Sequence, residues 1–146
     1  MRDRIAVVLL ILATTFGVAT ADDEVSLFDG RGRATAYIAV DDELTIYLWS
    51  GKPVAYLDRD TSRGFHVYGF IGKHLGWFVS GIVWDHQGKA TCATKERLRS
   101  TEFEPFKSFK EFKPFKSFTE FVPFRPTFTR EWSDTLCRLW LAQGTK

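Results

Sequence analysis

The sequence predicts an all-β body of four β-hairpin repeats, then an extended Phe-rich tail and a short C-terminal helix. Three observations carry this reading. The stretch 45–57, TIYLWSGKPVAYL, reads as strand, turn and strand, and related phrases stand at 27–38, 67–78 and 82–93. Each copy holds a glycine followed by a basic residue: Gly32-Arg33, Gly51-Lys52, Gly72-Lys73 and Gly88-Lys89. Downstream, phenylalanine recurs at every third position from Phe103 to Phe124.

The repeats come first. Their glycines are 19, 21 and 16 residues apart, which marks one supersecondary unit used four times. Ser50-Gly51 and Ile71-Gly72 fit two-residue hairpin loops, with Gly supplying positive φ. Asp29-Gly30-Arg31-Gly32 and Asp85-His86-Gln87-Gly88 read as loops two residues longer, led by Asp and closed by a left-handed, bulge-forming Gly. Five residues after each glycine stands Tyr37, Tyr56, Trp77 or Ala93, and one before that a small residue, Ala36, Ala55, Gly76 or Cys92. An aromatic precedes each turn: Phe28, Trp49, Phe70 and Trp84.

Pairing Trp49 with Lys52 puts Tyr47, Trp49, Val54 and Tyr56 on one face of the second hairpin and Ile46, Leu48, Ala55 and Leu57 on the other. Both faces are apolar, so a lone hairpin is not stable and four must share a core. The small residues mark places where the backbones crowd.

The phrases IYLWSGKPVAYLD and VYGFIGKHLGWF, with the closing WDHQGK, resemble the four-fold beta flower family over residues 25–94. The resemblance implies four hairpins set like petals about a pseudo-four-fold axis. It implies no activity. Ala93 departs from the pattern, standing where the other copies have an aromatic. Flower proteins are similar to this chain in carrying Pro- and Lys-rich tails of three-residue period.

Residues 1–21 read as a signal peptide. Arg2 and Arg4 precede the apolar run Ile5–Val18, and Ala19-Thr20-Ala21 offers a small-x-small cleavage site. The alternative is an uncleaved inner-membrane anchor, for which the run is short against the roughly 20 residues a span needs. Either way the body, residues 22–94, is exported to the periplasm or beyond, and cleavage leaves no stable membrane span. The chain has 20 basic and 18 acidic residues. Residues 22–94 carry 7 basic against 10 acidic and residues 95–146 carry 11 against 7, so a weakly acidic body faces a weakly basic tail. No block of like charge points to nucleic acid.

Two cysteines in an exported chain form a candidate disulfide, Cys92 to Cys137, clamping the end of the tail to the body. Alternatively Cys92 is only the small residue of its repeat. His66, His74 and His86 lack metal-ligand spacing, and no cofactor is expected.

Residues 95–102 read as a linker or short helix. Residues 103–126 are a nine-residue phrase on a three-residue beat: FEPFKSFKE, FKPFKSFTE, FVPFRP. An α-helix would spiral the rings round every side and a strand would alternate them. A polyproline II helix turns once in three residues and gathers them on one ridge, with Pro105, Pro114, Pro123 and Pro126 in favour. A second ridge is then Lys107, Lys110, Lys113, Lys116 and Arg125, and a third is Pro, Ser and Glu. Drawn straight, the ridge would run roughly 65 Å, far beyond a body with a radius of gyration near 11 Å. The tail therefore bends round the body, docks on other copies or grips a partner. In residues 127–146, Ser133-Asp134 caps a short helix, Thr135 to Leu141, with Leu136, Leu139 and Trp140 on one side and Gly144 ending it.

The leading functional reading is a non-catalytic envelope module for protein interaction or self-assembly. Its surface is the ridge of Phe106, Phe109, Phe112, Phe115, Phe118 and Phe121 with the apolar helix, and its partner a protein or a second copy. A carbohydrate-binding reading, for peptidoglycan, would use Tyr47, Trp49, Tyr56, Tyr68 and Trp77 as stacking platforms. An enzyme would draw on His66, His74, His86, Asp58, Asp60 and Asp85, but no catalytic motif arranges them. Asp29 and Asp85 read as turn residues, and Lys52, Lys73 and Lys89 as solvent-facing.

Overall fold

The computed structural model describes residues 23–60 and 64–146. The expected signal peptide lies outside the described residues. Eight strands follow one another round a closed antiparallel barrel. They are β1 (Glu24–Phe28), β2 (Ala34–Ala39), β3 (Thr45–Leu48), β4 (Pro53–Asp60), β5 (Gly64–Gly69), β6 (His74–Val79), β7 (Ile82–Trp84) and β8 (Ala90–Ala93). Each of the four repeats forms one hairpin, and the seam between β8 and β1 is a single pair, Phe28 with Ala93.

All four turns are built alike, which corrects the expectation of two loop lengths. The amides of Asp29, Leu48, Gly69 and Asp85 bond to the carbonyls of Arg33, Lys52, Lys73 and Lys89. The amides of Gly32, Gly51, Gly72 and Gly88 return to the same four leading residues, and all four glycines have positive φ. Each loop is thus three residues ending in a left-handed Gly. Asp29 and Asp85 do lead their turns, each accepting two backbone amides on Oδ1. The residue before each turn is then Phe28, Tyr47, Tyr68 or Trp84, while Trp49 and Phe70 lie within the loops. The β6–β7 connection is the two-residue loop, Ser80-Gly81, with positive φ at both residues.

Every second strand then bulges. The register skips Thr35, Val54, Leu75 and Thr91, one residue in each hairpin. A bulge turns two successive side chains to one side. Hence Val54 joins Ala55 in the inner core, not the Tyr47 face where strict alternation puts it. The barrel interior holds Leu27, Ile38, Ile46, Leu57, Val67 and Val83, with the outer aromatics on the opposite face in two further clusters.

A single 3₁₀ turn, Lys95–Arg97, leaves the barrel, and residues 101–129 form neither helix nor strand. Near its end the chain forms α1, Cys137–Ala142, followed by a 3₁₀ turn, Gln143–Thr145. The helix does not lie on the surface. Cys137, Trp140 and Leu141 are buried in the barrel core, and the structure joins Cys92 to Cys137 as a disulfide. Leu136 is the N-cap, without a side-chain cap bond, so Ser133-Asp134 does not cap it. Small residues make room: a Cβ on Gly76 would meet Trp84 O at 1.9 Å and Trp140 at 3.0 Å, and Gly144 packs on Gly69 and Val54.

Candidate functional site

The tail bends round the barrel as a belt, in step with the four hairpins. Glu102, Glu111, Glu120 and Thr129 donate their amides to the carbonyls of Gly32, Gly51, Gly72 and Gly88 at 2.8–2.9 Å. Those donors are nine residues apart, the length of the repeated phrase. The contact is close: a Cβ would meet the belt carbonyl of Phe109 at 1.9 Å from Gly51 and that of Phe118 at 1.9 Å from Gly72. Ser108 and Ser117 add amide bonds to Trp49 O and Phe70 O. Pro105 and Pro114 fall on the same ridge as these donors, at the place in each nine-residue phrase where the belt makes no amide bond to the barrel, so the missing N–H is no loss.

The lysine ridge also faces the barrel. Lys107 and Lys110 pair with Glu24 at 3.2 and 3.5 Å. Lys113 meets Asp42 at 2.7 Å, Lys116 meets Glu43 at 3.3 Å and Arg125 meets Asp60 at 3.0 Å. The stems cross aromatic faces on the way. The Lys107 ammonium lies 4.8 Å over Tyr37 and 4.9 Å over Trp49, and that of Lys116 lies 4.3 Å over Tyr56. Burial pulls the Asp42 carboxyl upward, but hydrogen bonds from Lys113 and Tyr47 outweigh it and hold it below the usual range. Burial and Asp42 together push the Tyr47 phenol up.

Two ridges are thus satisfied by the body, and the third points away. All eight phenylalanines from Phe103 to Phe124, including Phe106, Phe109, Phe112, Phe115, Phe118 and Phe121, are between 94% and 104% exposed. They lie on one edge, outermost. At roughly 150 Å² or more each, this is an apolar surface of about 1,200 Å², well above the few hundred Å² usual on a monomer. The helix expected to extend this surface is in the core instead, with only Leu136 and Leu139 half exposed. Four hairpins whose turn glycines are 19, 21 and 16 residues apart and a nine-residue tail phrase thus obey one four-fold plan. The model of the family described as "4-fold beta flower protein" matches residues 25–141.

The chain belongs to this family. No curated protein and no solved structure matches it. The flower match extends past the hairpins, where the sequence resemblance stopped, through the belt and nearly all of α1. The belt and most of α1 thus fall within the family's match.

Under the belt, each of the three sectors that it crosses between neighbouring petals of the flower holds a ring pair. Tyr37 meets Trp49 at 5.8 Å, Tyr56 meets Phe70 at 5.5 Å and Trp77 meets His86 at 5.7 Å. Tyr47, Tyr56, Tyr68 and Trp77 are buried there, so these proposed sugar platforms are covered, and Trp49 is half-buried.

The third sector also gathers the histidines, which their sequence spacing left apart. His66 Nδ1 lies 3.2 Å from His74 Nε2, and His74 Nδ1 lies 2.9 Å from His86 Nε2. Asp60 stands 3.6 Å from His66 Nε2. A carboxylate there favours Nε2–H on His66, and the same tautomer along the row satisfies both imidazole bonds. Burial, then the neighbouring His86 and His66, pushes His74 down to about 4. The signal was present: folding the third hairpin about Gly72 sets His66 and His74 on one face. Among the described residues no group of three His, Cys, Asp or Glu is arranged to hold a metal ion. No helix of the described residues is long and apolar enough to cross a membrane.

Proposed function

We propose that the protein is an exported, non-catalytic module of the cell envelope that joins a protein partner, or further copies of itself, through the outer edge of its belt. One observation carries the reading: the lysines turn inward while eight phenylalanines stand fully exposed. Turning the charged ridge to the barrel's acids and displaying the apolar one makes sense when the apolar ridge has a mate. The Cys92–Cys137 bond supports an oxidising compartment, in line with the apolar run at 5–18. Against chemistry stands the histidine row. Both nitrogens of buried His74 are taken by other imidazoles, and a group near 4 is a poor base at neutral pH.

The test is a photoreactive benzoylphenylalanine placed at Phe112, with Lys52 as an exposed control off the belt, in the producing cell. The expected result is a cross-linked protein adduct of defined mass at Phe112 and none at Lys52. No adduct at Phe112, or equal labelling at both sites, would overturn the reading.

A further inference from the structure

The four-fold plan has one vacancy. The belt touches four turns, but its three nine-residue steps cross only three of the four sectors. The fourth, between β8 and β1, is left open. It also lacks its ring pair. Where the other sectors have Tyr37 with Trp49, Tyr56 with Phe70 and Trp77 with His86, this one has Ala93 and Gly30. A cavity of about 710 Å³ opens there, of a size with small-molecule sites.

Its lining is as unlike the other sectors as its size. Arg31, Arg97, Arg99 and Arg130 surround it, with Trp84 and Trp132, and no carboxylate. Elsewhere each belt cation meets an acid of the barrel. Here, among the described residues, none of the four guanidiniums forms an ion pair. The walls are held in place. Trp132 is fixed by backbone bonds on either side of it, Ala90 N to Glu131 O at 2.9 Å and Ser133 N to Ala90 O at 2.8 Å. Its ring lies over Gly30, 3.0 Å from where a Cβ would stand. The stem of Arg97 packs against Gly81, and Trp84 stacks on Phe128 at 4.6 Å.

We propose that this open sector binds a small organic anion, a carboxylate or phosphate attached to a flat face. The anion takes the place of the acids that pair with the belt in other sectors, and guanidiniums suit both groups through bidentate hydrogen bonds. The flat face replaces the missing rings and lies against Trp132. The site is separate from the Phe edge and does not depend on it.

The test is a titration of the full chain with phenyl phosphate, benzoate and uncharged benzamide, followed by tryptophan fluorescence. The structure predicts saturable binding of at least one anion, about tenfold or more tighter than benzamide, as expected for a charge-assisted bond. Phenyl phosphate alone would mark a phosphate site and benzoate alone a carboxylate site. Arg97→Gln with Arg130→Gln should weaken that binding by about tenfold or more, and Ala93→Phe, which restores the repeat aromatic, should abolish it. Equal affinity for all three compounds, or an unchanged affinity in the arginine variant, would overturn the proposal even if Ala93→Phe fails to fold.

Discussion

The amide of Glu111 donates to the carbonyl of Gly51 at 2.9 Å. Nine residues along, Glu120 makes the same bond to Gly72 at 2.8 Å. The glycines serve twice: positive φ closes the hairpin, and a missing Cβ lets the belt lie on the backbone. Gly72→Ala should therefore act on both. A left-handed alanine costs about 1–2 kcal/mol, and its Cβ would sit 1.9 Å from Phe118 O unless the belt lifts. We expect a urea midpoint lowered by that amount or more, with faster amide exchange at Glu120. Ile71→Ala, at an exposed neighbour in the same loop, should change stability by less than about 0.5 kcal/mol. Equal effects would show that the belt does not rest on Gly72.

The disulfide ties α1 into the core. Cys92 and Cys137 are 45 residues apart, and the bond encloses the whole belt. Releasing a loop of that length should cost about 2–4 kcal/mol. In the Cys92→Ser/Cys137→Ser chain we expect that loss in a denaturant titration, with the barrel still folded. Trp140→Ala, which empties a core site, should cost about 3–5 kcal/mol. An unchanged midpoint in both variants would mean that α1 contributes nothing to the core.

The repeat, the belt's beat and the odd fourth copy were all legible as spacing. Gly-basic pairs gave four hairpins, and Phe at every third place gave three ridges. Three things were not fully legible. The bulges at Thr35, Val54, Leu75 and Thr91 hid because both faces of the strands are apolar, so no polar residue reports a slipped register. The inward turn of the lysines hid because its partners, Glu24, Asp42, Glu43 and Asp60, are scattered in sequence and meet the belt only once the barrel closes. The helix face was only partly legible: of Leu136, Leu139 and Trp140, read as its apolar side, Trp140 is buried, but Cys137 and Leu141 join it in place of the two leucines.

The histidine row gives a pH dependence of known sign. His74 is held near 4 in the fold, below its ordinary 6.5. Between those values the unfolded chain binds a proton that the folded chain does not, so stability falls as the pH drops from about 6.5 to about 4 and levels off below. The shift sets an upper size of about 3 kcal/mol. Burial moves His86 the same way, against the pull of Asp85 and Glu120, with Lys73 adding to burial. The carboxyls of Asp42 and Glu43 are lowered, so their contribution persists above 3.8–4.5 and is lost below that range. His74→Gln should shallow the slope of the upper window, leaving the part due to His86, and leave the lower one unchanged. An unchanged slope between pH 4 and 6.5 in this variant would assign it elsewhere.

The belt's phase can be separated from its length. One extra residue between Lys113 and Pro114 would rotate every later side chain by one ridge. Phenylalanines would then take the lysine places and meet the acids near Asp60, the prolines would take the phenylalanine places, and Arg125 would move to the Pro-Ser-Glu ridge. Removing 113–115 keeps all three ridges in phase but draws Glu120 three residues short of Gly72. The two changes predict different failures. The insertion should expose the Arg125 guanidinium and release the distal belt, with trypsin cutting after Lys116 first, since Pro126 blocks the bond after Arg125. The deletion should leave the ridges intact but strain the span between Gly51 and Gly72, lowering the thermal midpoint while Lys107 and Lys110 stay protected. A nine-residue repeat set by chance rather than by the petals would tolerate both changes equally, and equal protease patterns and midpoints for the two variants would be the observation that says so.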